Sequence, residues 1–163
     1  MPVIRRPSTA PRRALPGALL VAGLAACGPS SRIEYPGPGE VELGWGITEL
    51  NRIADDQRVP IVHGVQGGFH IWGAMRARYL DPTRLDLEYS LTRRGEPDPY
   101  TVRVEREVDL DGGDGGRSFG LRLGTAVFLP EVENVRGRDC RFRVEARDRF
   151  GRQATAERRV IPE

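Results

Sequence analysis

The sequence predicts an all-β domain: an antiparallel sandwich of about seven to eight strands, preceded by an N-terminal segment that does not belong to the fold. Three observations predict it. Beyond Val41 the apolar residues recur with a period of two rather than 3.6, and clusters of Gly, Pro and Asp cut the chain into runs of strand length. The 137 residues from Cys27 to Glu163 suffice for one hydrophobic core and would crowd two.

The elements follow in order. Residues 41–47 and 59–63 are short apolar runs, and 69–79 leaves a glycine-rich loop. In 85–92, Leu85, Leu87, Tyr89 and Leu91 alternate with Asp86, Glu88, Ser90 and Thr92. In 100–110, Val102, Val104, Val108 and Leu110 alternate with Arg103, Glu105, Glu107 and Asp109. Residues 117–129 carry Phe119, Leu121 and Leu123 on one parity; 140–147 carry Cys140, Phe142, Val144 and Ala146; 153–161 close the domain. Asp81-Pro82, residues 95–99, 112–116 and 148–151 supply the turns. Thr48–Ala54 is the one helical candidate.

The N-terminus reads as a processing signal. Arg5, Arg6, Arg12 and Arg13 precede an apolar run, Ala14–Ala26, of 13 residues interrupted by Pro16 and Gly17. A spanning helix needs about 20 apolar residues, so this run fits the core of an export signal instead. Leu24-Ala25-Ala26-Cys27 resembles a bacterial lipobox. That resemblance implies removal of residues 1–26 and a mature Cys27 carrying a diacylglycerol thioether and an N-acyl lipid, hence a membrane-anchored protein of the cell envelope. Gly28 after the anchor, where inner-membrane retention uses aspartate in enteric bacteria, implies the outer membrane, facing the periplasm or the cell surface. Arg12-Arg13 only partly matches a twin-arginine signal, and ordinary Sec export is expected. Residues 27–40, rich in glycine and proline, read as a disordered tether with a reach of roughly 20 Å beyond Cys27. The domain then occupies 41–163.

Charge excludes several functions. The precursor is formally +2, yet its signal holds four arginines and no acid, so residues 27–163 carry 21 arginines against 23 acids. A net charge of −2 gives no electrostatic case for a nucleic-acid partner. No lysine is present, which removes Schiff-base and phosphate-loop chemistry. With Cys27 lipidated, Cys140 has no disulfide partner and, on the apolar parity of its run, reads as a buried inert thiol.

Residues 140–161, with their Asp148-x-x-Gly151 turn, resemble the closing strands of bacterial immunoglobulin-like or fibronectin type III-like modules. The implied fold is an immunoglobulin-like sandwich without the Cys…Trp…Cys pattern of antibody domains. Gly64-Val65-Gln66-Gly67-Gly68-Phe69-His70-Ile71-Trp72 resembles a segment of predicted bacterial lipoproteins of unknown role, which implies architecture and address but no activity.

The two histidines, His63 and His70, flank the Gly64–Gly68 loop and form the leading candidate site, with Gln66 and Trp72 beside them. If the loop turns a hairpin, the imidazoles could share copper or zinc, with Asp55 or Asp56 completing the shell. The competing reading is structural: Gly67 and Gly68 permit positive φ and each imidazole finds a local partner. Other patterns fail on register or context. Asp109-Leu-Asp-Gly-Gly-Asp-Gly-Gly puts Gly113, Asp114 and Gly120 where a calcium loop needs a ligand, a glycine and a bidentate acid, so a solvated hairpin loop is expected. Gly116-Arg117-Ser118-Phe119-Gly120 matches a nucleophile elbow, but no histidine follows Ser118. Arginines 76, 78, 93, 94, 103, 106, 141, 143, 147, 158 and 159 share strands or turns with acids and read as a solvated ion-pair face; contact with phosphate-bearing lipids or envelope polyanions is the sharper alternative. Trp45 and Trp72 suit a sandwich core or edge, or a carbohydrate or peptide site.

The expectation is a lipid-anchored, non-catalytic binding or structural module, no enzyme, whose partners are the membrane and an envelope protein or glycan. A copper- or zinc-binding lipoprotein using His63 and His70 is the alternative.

Overall fold

A computed structural model describes residues 35–65 and 67–163. Cys27, the signal peptide, residues 27–34 of the tether, and Gln66 lie outside the described residues. The described chain is a two-sheet β-sandwich of ten strands: β1 (Glu40–Trp45), β2 (Asn51–Arg52), β3 (Gln57–Val59), β4 (Val62–His63), β5 (Phe69–Arg78), β6 (Leu85–Arg93), β7 (Thr101–Val108), β8 (Gly120–Leu129), β9 (Cys140–Arg147) and β10 (Gln153–Pro162). A single 3-10 turn, Val132–Asn134, links β8 to β9.

In the first sheet β5 is central. It pairs with β1 and, further toward its own start, with β4; β8 pairs along its other side, and β2 extends the sheet beyond β1. The second sheet runs β3-β10-β9-β6-β7. All pairings between these strands are antiparallel except that of β3 with β10.

Period-two alternation decides which side chains meet between the sheets. Ile71, Met75 and Ala77 of β5, Val127 of β8 and Leu43 of β1 face Leu85, Leu87, Tyr89 and Leu91 of β6 and Phe142, Val144 and Ala146 of β9; each is at most 3% exposed. Gly73 lies among them because a β-carbon there would sit 2.9 Å from the Tyr89 ring. A ring that large fits only where the facing strand has no side chain.

Three local expectations are corrected. Thr48–Ala54 is no helix: seven residues cannot offset the cost of a helical nucleus, and the chain, after Gly46 bonds Trp72 of β5 and Gly124 of β8, returns to pair Arg52 with Gly44 and Asn51 with Trp45. Residues 59–63 are not one strand. Pro60 has no N–H for a ladder, so Val59 ends a strand in the second sheet and Val62 begins one in the first. Residues 109–119 form a crossover between sheets rather than a hairpin loop, with Leu110 buried and Asp111 bridged to Leu121.

Candidate functional site

The Gly64–Gly68 loop does turn a hairpin. Val62 pairs with His70 and His63 with Phe69, and the loop closes through Gly64 N–H to the Gly68 carbonyl at 3.0 Å and Gly67 N–H to the Gly64 carbonyl at 2.9 Å. Gly67 and Gly68 have φ of 87° and 81°, where an L side chain would be strained.

That register separates the histidines. Residues directly opposite in an antiparallel pair share a face, and neighbours along a strand do not. His63 therefore lies with Phe69, ring centroids 5.1 Å apart, while His70 leaves the other face to meet Trp72 edge-on at 4.5 Å and Phe128 at 5.9 Å. Binding one ion with both imidazoles requires the hairpin to open. Among the described residues no three metal-ligating side chains cluster anywhere. Asp55 and Asp56 are engaged elsewhere: Asp55 accepts the Arg159 N–H and Asp56 pairs with the Arg159 guanidinium at 2.9 Å.

His63 is exposed, whereas His70 is 5% exposed although it sits on the outer face of its sheet. Gly64 packs against its ring, and Trp72 and Phe128 flank it. Neither ring nitrogen has a hydrogen-bond partner among the described residues. Burial holds its pKa below the ordinary histidine value. The folded state thus favours neutral imidazole, and that contribution to stability is complete above the unfolded pKa of about 6.5 and is lost as pH falls below it. Lowering the pH from 7.5 to 5 is expected to reduce the urea midpoint; His70→Phe removes that part of the dependence and His63→Gln retains it. An identical acid slope in His70→Phe and the parent would refute the assignment.

The other sequence candidates resolve into structural roles. Cys140 is free and 2% exposed, its thiol pushed up to about 11 by burial. It floors a cavity of about 290 Å³ beside Arg93, Arg94 and Arg141, where Glu96, Asp139 and Glu157 already pair with those guanidinium groups. Arg103, Arg106, Arg143, Arg147 and Arg159 are ion-paired as well, while Arg158 donates to the Ile53 and Glu157 carbonyls. Exposed pairs of this kind contribute about 0–1 kcal/mol each. Asp114 accepts the Gly116 and Ser118 N–H groups, and Asp109 accepts that of Arg84, so these loop carboxylates hold backbone. Ser118 is exposed just ahead of β8. Trp45 is packed partly against the core with its indole nitrogen buried and without a hydrogen-bond partner; Trp72 is half-buried on the outer face.

A second constellation escaped the sequence reading. Asp81, 2% exposed, accepts the Thr83 N–H at 2.9 Å and hydroxyl at 2.7 Å, and both its N–H and its other carboxylate oxygen tie it to the β9–β10 turn, through Asp148 and Arg149. Asp148, 4% exposed, also accepts the Phe150 and Arg152 N–H groups at 2.9 Å. Arg152 then covers the Tyr35 ring at 4.5 Å and donates to the Gly37 carbonyl. The start of the described chain is thereby fixed at the end of the sandwich where β1 begins and β5 finishes. The signal was an Asp-x-Phe-Gly turn read only for its fold likeness.

Comparison of the chain with models of known families, with curated proteins and with solved structures finds no match.

Proposed function

We propose that the mature protein begins at a lipidated Cys27 and serves as an envelope-anchored module that binds rather than turns over a partner, its sandwich being of the immunoglobulin-like or fibronectin type III-like kind. The observation that carries this reading is the Leu24-Ala25-Ala26-Cys27 run behind four arginines. The fixed position of Tyr35 supports it. With β1 antiparallel to β5, Glu40 lies beside Arg78, so the root of the tether and the His63–His70 hairpin occupy opposite ends of β5. Ten residues of strand separate them by roughly 30 Å. Ser118 and the two histidines lie on separate elements with structural neighbours, which favours binding over nucleophilic catalysis.

Expression in a bacterial host with labelled palmitate tests the anchor. The wild-type chain is expected to take up label and to partition with membranes. Cys27→Ala abolishes labelling and leaves the precursor uncleaved by the lipoprotein signal peptidase. Equal labelling of both chains overturns the proposal. Crosslinking in the intact envelope, with Cys27→Ala as the control, then identifies the partner.

A further inference from the structure

We propose that the outer face of the first sheet, at the Phe69 end of β5, rests on the lipid bilayer, so that the anchored domain lies along its membrane instead of standing away from it. This rests on lipidation at Cys27.

The face is apolar where a solvated sheet face would be polar. Ile47, Val65 and Phe128 are 56%, 105% and 55% exposed. Their placement makes one surface: Phe128 pairs with His70 and Ala126 with Trp72 across β5–β8, Ile47 stands over Gly124 of β8, and Val65 tips the hairpin whose Gly64 packs on His70. An indole and a phenyl ring flanked by protruding aliphatic side chains suit the headgroup–acyl boundary, where aromatic rings keep a polar edge in water and an apolar face in lipid.

Two further observations select the bilayer as occupant. The chain between Cys27 and Tyr35 is eight steps long, at most about 28 Å when extended. It ends at the opposite end of a strand roughly 30 Å long. The root of the domain is thus held beside the membrane, and tilting about that root brings the apolar face down along its whole length. Tethering makes the contact intramolecular, so a patch too small to bind vesicles from solution is occupied once anchored. The same sheet face also carries Arg52, Arg76 and Arg78 against Glu40 and Glu42, with Arg52 the most exposed of the three.

The experiment supplies the anchor chemically, so its outcome is independent of lipidation in cells. Cys140 is buried, so the mature chain (residues 27–163) is coupled through its other cysteine, Cys27. A Trp45→Phe chain, in which Trp72 is the remaining tryptophan, is coupled through Cys27 to vesicles of phosphatidylcholine with a maleimide lipid, with and without phosphatidylglycerol. Coupling is expected to shift Trp72 emission to the blue and to expose it to quenching by brominated acyl chains. The combined Ile47→Ser, Val65→Ser and Phe128→Ser changes, all at exposed positions, are expected to reduce that quenching severalfold. Unchanged Trp72 emission on coupling overturns the proposal, as does quenching equal in the two chains. A blue shift in solution that grows with protein concentration assigns the face to a second copy of the chain and likewise overturns it. Failure of palmitate labelling with successful quenching would overturn the anchor alone.

Discussion

Replacing Phe142 with alanine is expected to lower the unfolding free energy by about 3–5 kcal/mol, the usual cost of deleting a buried phenyl ring. Domains of this size have about 5–15 kcal/mol in all, so the variant approaches the edge of folding. The cost is set by how poorly the site can collapse. Phe142 is fully buried, its ring centroid 6.1 Å from that of Tyr89, and a β-carbon on Gly73 would lie 3.5 Å from its tip. Tyr89 is itself fully buried and stands over Gly73. The Tyr89 ring cannot swing into the void without leaving another over Gly73. Phe128→Ala is the matched control, since the same ring is deleted from a half-exposed position on the outer face and a change within about 0.5 kcal/mol is expected there. Urea titration of both variants decides the matter: similar midpoints would mean that the sheets do not meet at Phe142.

The long strands were legible because each buries one face. In Cys140–Arg147 every second residue is buried, and Leu85, Leu87, Tyr89 and Leu91 repeat the pattern on the neighbouring strand. The short strands were not legible, for a physical reason. Asn51–Arg52 and Val62–His63 are two residues each and exist because a longer neighbour offers them an edge, a tertiary fact with no local period. The 109–119 segment shows the same limit. Its Asp and Gly content suits a hairpin or a crossover equally, and what distinguishes them is that Gly115 closes against Tyr35, 80 residues earlier in the chain.

The candidate site was half legible. That both histidines belong to one hairpin follows from the sequence; which faces they occupy does not. Pairing His63 with Phe69 puts the imidazoles on opposite faces, and a slip of one residue, pairing His63 with His70, would have placed them together. The choice is made by burial of Ile71 and exposure of His63, that is, by the core beneath the hairpin. The buried carboxylates at the other end were missed because aspartates beside prolines and glycines look like ordinary turn residues until their partners, 67 positions away, are in place.

Asp81→Ala is expected to cost about 2–4 kcal/mol, because it orphans the Thr83 N–H and hydroxyl and frees Arg149 at a buried corner. Burial by itself would push the Asp81 carboxyl upward, but hydrogen bonds from the Thr83 hydroxyl and N–H and the Arg149 guanidinium outweigh it and hold the group below the ordinary aspartate value. The sign follows directly. A carboxylate whose folded pKa is depressed contributes stability that is complete above the unfolded pKa of about 3.9 and is lost as pH falls through the folded value. The gap between parent and Asp81→Ala in urea midpoint is therefore widest near neutral pH and narrows in acid, whereas loss of packing alone would leave it constant. The corner also couples to Tyr35 and Gly37. Asp148 binds the Asp81 N–H and, from its other oxygen, the Arg152 N–H, and Arg152 holds Tyr35 and Gly37. Hydrogen exchange should therefore speed at Phe150 and Arg152, whose N–H groups Asp148 accepts at this corner, while Cys140–Arg147 stays protected. Uniform acceleration across both segments would mean that the corner is part of the global fold and does not yield separately.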